Sequence, residues 1–241
     1  MNKRLVLDIL RTQRRPGIIC ANDAKACYDR ILHFAAYVSL RRAGLTEEAT
    51  TSMLRPITRL LHKIRTAYGD SKVTYGGDEW TRDPSGICQG NGAGPAIWAL
   101  VSSPLLKMVR EAGYGAKLHA AIGDTFIHLV GFAFVDDADT IQTGELNQDI
   151  DSLVETAQKQ LTLWEQGIRA TGGGIDPTKS DFAVIDFQWD DGKWSYKPKD
   201  DNHNLSLNTP QEGQRNLTQT GPEEARRTLG VWQAPDGNEE K

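Results

Sequence analysis

Cysteine is scarce and scattered: Cys20, Cys27 and Cys88 are the only three in 241 residues. They form no CxxC pair and no histidine cluster accompanies them, which argues against a zinc site and against a disulfide scaffold. Buried thiols in a reducing compartment are the expected state. Long apolar runs are also missing. None approaches the roughly 20 residues needed to cross a bilayer as a helix. Met1–Asp8 carries charges without an apolar core or a small-residue cleavage site, so no secretory signal is read there. No internal repeat is seen. An intracellular protein, in the cytoplasm or the nucleus, is expected.

What is present is an ordinary globular composition, 39% hydrophobic and 25% charged. At this length the chain can build one sizeable core or two small ones. The net charge of −4 hides an asymmetry: residues 1–70 carry 13 Lys+Arg against 6 Asp+Glu, and the remainder 15 against 26. A basic front section suits a polyanion, although a solvated basic face is the commoner meaning of any single cluster.

The spacing of apolar residues predicts a short helix over 1–15, closed by Pro16-Gly17, and then a strand, Ile18-Ile19-Cys20-Ala21, running into Asn22-Asp23. Helical patterns follow from Tyr28 to Ala43 and from Glu47 to Tyr68. Thr46 is placed to cap the second, and Pro56 to kink or break it. Residues 71–90 read as a hairpin and loop. Pro95 to Glu111 is helical, 115–120 and 126–135 are strands, and Asn147 to Ala170 is an amphipathic helix stopped by Gly172-Gly173-Gly174. Ser180 to Phe187 is a strand. The polar stretch 188–226 reads as a mobile loop or an elaborated hairpin, and Thr228 to Trp232 as a last strand. The six tryptophans are expected as core or loop anchors.

Within this frame one stretch stands out. Phe134-Val135-Asp136-Asp137 closes an apolar strand with two adjacent carboxylates in a tight turn. Alone, such a pair is ordinary solvated turn chemistry. Asp23 also ends a strand, and strands ending in acids can converge in one antiparallel sheet. Asp23 and Asp136 are then expected within metal-bridging reach, under about 8 Å. Two or three carboxylates at one point can hold a pair of Mg²⁺ roughly 4 Å apart, the arrangement used for displacement at phosphorus. Arg55, Arg59 and Lys63, four residues apart, form one stripe on a helix; it either meets nucleic-acid phosphates or is a solvated face.

Five stretches, in order, resemble the palm motifs of reverse transcriptases. Asn22-Asp23-Ala24-Lys25-Ala26-Cys27-Tyr28-Asp29-Arg30 resembles the first, Gly86-Ile87-Cys88-Gln89-Gly90-Asn91-Gly92-Ala93-Gly94-Pro95 the second and Phe134-Val135-Asp136-Asp137 the third. Gly174-Ile175-Asp176-Pro177-Thr178-Lys179-Ser180 resembles the fourth, and Thr228-Leu229-Gly230-Val231 the short strand that grips the primer. The resemblance covers roughly Arg15 to Trp232 and is nearest to the enzymes of non-LTR retrotransposons and group II introns. It implies an α/β (α+β) polymerase palm, an antiparallel sheet of about four strands backed by helices with a β-α-β-β-α-β core. It divides the chain into a fingers remnant or N-terminal helix (1–17), the palm (18–187), a polar insertion (188–226) and a primer-grip-like strand with a frayed tail (227–241).

The resemblance also implies roles. Asp23 and Asp136 hold two Mg²⁺ (or Mn²⁺), with Asp137 more peripheral. Ala24, Tyr28, Gln89 and Gly90 line the dNTP, and the Tyr28 ring excludes a 2′-hydroxyl. Lys179 stands by the pyrophosphate as an acid or a charge stabiliser. Asn91, Leu229 and Gly230 meet an RNA template and a DNA primer. The second motif departs from the family in having Cys88 and Gly94-Pro95, where Pro and Ser-Pro are usual. Only 22 residues precede Asp23, and the Arg11, Arg14, Arg15 cluster is read as a remnant of the triphosphate-gripping fingers. Fingers, thumb and endonuclease are expected in a larger polyprotein, so that this segment alone polymerises poorly or not at all. The competing readings are an RNA-directed RNA polymerase palm, a non-catalytic RNA-binding module with stacking aromatics on its central strands, and a decayed retroelement fragment.

Overall fold

The computed structural model describes residues 2–76, 86–88, 90–120, 122–134, 137–209, 213–228 and 231–237. In chain order the elements are α1 (Asn2–Gln13), β1 (Gly17–Asp23), α2 (Cys27–Arg30), α3 (His33–Arg42), α4 (Glu47–Thr58), β2 (Leu61–His62), β3 (Arg65–Thr66), β4 (Gly69–Asp70) and β5 (Tyr75–Gly76). Then come α5 (Gly94–Glu111), β6 (Ala116–His119), β7 (Phe126–Leu129), β8 (Gly131–Phe134), β9 (Asp137–Thr143), α6 (Ile150–Ala170), β10 (Asp181–Ile185), β11 (Phe187–Asp190) and β12 (Lys193–Tyr196). The last are β13 (Ser206–Thr209), β14 (Gly213–Asn216), β15 (Thr218–Thr220), β16 (Arg226–Thr228) and β17 (Val231–Gln233). They gather into two compact units, one of Met1–Lys25, Leu105–Gly167 and Ile175–Lys241, the other of Ala26–Pro104 and Ile168–Gly174.

The first unit is built on a five-stranded sheet in the order β15-β10-β1-β9-β8. All neighbours are antiparallel except β10 and β15. The expected β-α-β-β-α-β core is present as β1, helices, β8, β9, α6 and β10, and β15 adds a fifth strand to the four expected. Alternation puts Ile19, Ile141 and Ile185 on one face, where they meet Val6, Leu7 and Leu10 of α1 in one apolar cluster. Ile18, Cys20, Phe182 and Val184 alternate with these and are buried as well. From α6, Gln160 donates to the carbonyls of Val130 and Ile141 at 3.2 Å each.

Several expected elements differ in outline. The described part of the apolar run, 126–134, is two strands, and Gly131, which opens the second, lies so close to the Asp139 carbonyl that no side chain fits there. The chain breaks at Val130 to pair first with β6 and then with β9. The described residues of 188–226 take the second of the two expected forms, an elaborated set of hairpins. Leu205, Leu207 and Leu217 are buried, β13 and β14 pair, and Gln158 of α6 bonds both backbone groups of Ser206, at 3.0 and 2.8 Å. The Arg11, Arg14, Arg15 cluster also has another role. Arg15 is buried and donates to the carbonyls of Gly144 and Lys117, Arg14 lies 5.5 Å over the Phe187 ring, and Arg11 pairs with Asp8 and donates to the Asp236 carbonyl.

In the second unit, α3 and α4 pack on each other and β2 pairs with β5. The helical pattern expected from Tyr28 to Ala43 breaks at Ile31 and Leu32, both extended; Ile31 is fully buried and the Leu32 amide donates to the Thr171 carbonyl at 2.8 Å. Thr46 caps α4 as expected, its hydroxyl accepting from the Ala49 amide. That helix stops at Thr58, two residues past Pro56, whereas a run to Tyr68 was expected. Lys63 therefore leaves the predicted stripe, and only Arg55 and Arg59 remain together.

Phe182 is among the largest fully buried side chains. Phe182→Ala is expected to cost about 3–5 kcal/mol of stability, measured as a lower urea midpoint with the m-value unchanged.

Candidate active site

The register of the central strands decides the site. In the β1–β9 ladder Asp23 is the Cα partner of Asp137, and Ala21 is the partner of Asp139. Cross-strand partners share a face, so Asp23, Asp137 and Asp139 stand together on the face that α1 covers further along. The hairpin that carries Asp137 is tight, since Phe134 and Asp137 are partners across it. Asp136 lies outside the described residues, so its expected distance to Asp23 has no counterpart here.

A second segment is locked against the end of β1. The Asp176 amide donates to the Asp23 carbonyl at 2.9 Å, and the Asp23 amide donates to the Ser180 hydroxyl at 3.1 Å. Ala24 bridges to Ile175. Asp176 folds its own loop by accepting from the Thr178 amide and hydroxyl, and the hydroxyl bond holds its carboxyl below the usual range. Between these contacts Lys179 is presented with its ammonium 3.8 Å from the Asp23 carboxylate. Asp23, Asp137 and Lys179, all expected from the sequence, are thus brought together.

Three residues that sequence reasoning missed complete this cluster. Asp139 is buried and paired at 2.7 Å with Lys3 of α1. Arg226 of β16 pairs with Asp181 of β10. Asp137-Ala138-Asp139 is a visible i, i+2 acid pair, so Asp139 was legible as a same-face neighbour. Lys3 and Arg226 reach the site only through tertiary folding. An open cleft of about 130 Å³ is lined by Asp23, Asp137, Asp139, Lys179 and Arg226. Burial pushes the Asp181 carboxyl up to about 6 against the pull of Arg226, and burial with Asp181 and Asp139 nearby drives the Cys20 thiol up.

The carboxylates offer hard oxygen donors from two strands on the wall of an open cleft, the donor type and the room that a partly hydrated divalent cation needs. Among the described residues no group of three His, Cys, Asp or Glu is placed to hold a metal. Asp23 and Asp137 are the two described carboxylates that would hold one.

In the second unit the first and second motif stretches meet. The Ile87 amide donates to the Tyr28 carbonyl at 2.6 Å, and the Gly86 amide to the Ile31 carbonyl at 2.9 Å. Gly86, at φ 112°, lies against the Asp29 backbone with no room for a Cβ. Gly94 opens α5, and a Cβ there would lie in ordinary contact with the Tyr28 ring, 3.5 Å away. Asn91 spends its amide on this turn, accepting from the Ala93 amide and donating to the Ile87 carbonyl. Gly90 is exposed at φ 89°. Gln89, Leu229 and Gly230 lie outside the described residues.

No protein-family model matches the chain, and no curated protein does. Among solved structures, apo telomerase from Candida tropicalis, truncated from its C-terminal domain, is similar at a TM-score of 0.49 and 12% identity. The match covers 81% of this chain and 36% of that one. No helix among the described residues is long and apolar enough to cross a membrane.

The Asp181 shift has a direct consequence. Its folded value lies above the ordinary 3.8, so the stability it contributes is present below about pH 4 and lost as the pH rises through about 6. Thermal melts of wild type and Asp181→Asn between pH 4 and 7 should show the difference moving in the variant's favour as the pH rises. A difference constant across that range would contradict the assignment.

Proposed function

We propose that the chain is the catalytic core of an RNA-directed DNA polymerase of the retroelement kind, its sheet a polymerase palm that joins a dNTP to a primer 3′-hydroxyl on an RNA template. The observation that carries this reading is the pairing of Asp23 with Asp137 at the ends of the two central strands, with Lys179 held beside Asp23. Bound Mg²⁺ would supply a lower pKa for the attacking hydroxyl and charge neutralisation at the transferring phosphoryl group. Asp23 and Asp137, with Asp136 of the same turn, would hold it.

The chain's own residues have separate tasks. In the reaction the primer oxygen forms a bond to the α-phosphorus, the bond to the β-phosphate breaks, and pyrophosphate leaves with the electron pair. Lys179 offers an ammonium to that leaving group, as a proton donor or as fixed charge. Arg226 adds a second cation to the same cleft. Tyr28, packed over the Gly94 turn, is the ring that would exclude a 2′-hydroxyl, which favours dNTP over NTP and so a DNA product over an RNA one. An RNA-recognition module with the same strand plan would carry stacking aromatics on its central strands. β1 reads GIICAND and β9 DADTIQT, with no aromatic in either.

Single-nucleotide addition to a DNA primer on an RNA template tests the reading. Asp23→Asn and Asp137→Asn should each lower the rate at least about 100-fold, the scale on which one preorganised charge-stabilising group acts, with the melting temperature unchanged. Addition that proceeds at the wild-type rate in either variant would contradict it.

A further inference from the structure

The second unit contains a groove that the carboxylate chemistry does not use. It lies between α3 and α4, has a volume of about 510 Å³, and is lined by His33, Phe34, Tyr37, Leu54, Arg55 and Arg59, with two threonines of α4 completing the wall. Phe34 and Tyr37 are three residues apart on α3, so they face one way, while Arg55 lies in the last turn of α4 and Arg59 caps its end, and both line the groove. Phe34 is 74% exposed. His33 is fixed by a 2.7 Å hydrogen bond between its Nε2 and the Gly86 carbonyl. Among the described residues none that lines the groove is acidic; the acids of α4, Glu47 and Glu48, stand at the other end of the helix.

Aromatic faces on one wall and two guanidinium groups on the other are what a flexible polyanion with flat apolar rings requires. Bases stack on the aromatics, whatever their sequence, and phosphates meet the planar forks of arginine. The volume is in the range that buries a group larger than a single flat ring. We propose that the α3–α4 groove binds single-stranded nucleic acid, with at least one base stacked on Phe34 and the backbone phosphates on Arg55 and Arg59. The proposal deepens the polymerase reading, on which it rests for the role of the strand as template. Arginines in the last turn of a helix also complement its dipole, but that leaves unexplained why both line one groove with an exposed ring opposite.

The test is fluorescence anisotropy of the full chain with a fluorescein-labelled 12-nucleotide oligo(U), from 50 to 300 mM KCl, without divalent cations. Phe34→Ala, a change at an exposed position, should weaken binding at least about 5-fold, the loss of one stacked base. Arg55→Gln/Arg59→Gln should flatten the slope of log K against log[salt] by roughly 1.4, the share of two single-strand phosphate contacts, and Arg55→Lys/Arg59→Lys should restore the slope. Binding unaffected by both groove variants would overturn the proposal, and if Asp23→Asn still abolished nucleotide addition the polymerase reading would survive that failure. Equal competition by poly-glutamate would overturn it in favour of an acidic peptide, and Phe34-dependent self-association in sedimentation without oligonucleotide binding would overturn it in favour of a second copy of this chain.

Discussion

The register between β1 and β9 is the constraint on which the rest of the site depends. It sets Asp23 opposite Asp137 and Ala21 opposite Asp139, and so stacks like charges at one end of a sheet whose other end is apolar core. Side-chain period is two, so a slip of one residue would send these carboxylates to the opposite face. The alternating Ile19 and Ile141 prevent that slip, because they would leave the α1 core with them. The same alternation that makes the core therefore also aims the acids.

Acids on such a face need counter-charge, and each cation comes from outside the four core strands. Lys179 meets Asp23, Lys3 meets Asp139 and Arg226 meets Asp181. The last two pairs are largely buried. Such pairs add little net stability, yet removing one partner costs roughly 3–5 kcal/mol because a charge is left in a poor solvent. Their effect is positional: they tie α1 and the β16–β17 hairpin to the strands that carry the site.

Much of this was legible in the residues. Asp23, Asp137 and Lys179 were readable because each sits at a strand end or in a turn with a distinct local signature. The two long helices α5 and α6 and the strands β1 and β10 followed from periodicity. Lys3 and Arg226 were not legible, since a lone cation at a helix start or a strand edge has no local mark that separates it from a solvated one. The order in 188–226 was hidden for a related reason. Leu205, Leu207 and Leu217 are separated by polar residues, and the partner that organises β13 is a glutamine side chain on α6, which no strand pattern reports. Lys63 was misplaced because charge spacing was extended past Pro56, where the helix soon ends.

The central claim is that the ends of β1 and β9 form a divalent-cation site, and Mn²⁺ in place of Mg²⁺ reports on it directly through paramagnetic broadening of backbone amides in the isotopically labelled chain. Substoichiometric Mn²⁺ should broaden the amides of Asp23, Ala24, Asp137 and Ala138 first, with Asp23→Asn abolishing the effect and Lys3 at the N-terminal end of α1 affected less. Broadening that spares these four amides, or that persists unchanged in Asp23→Asn, would contradict the account.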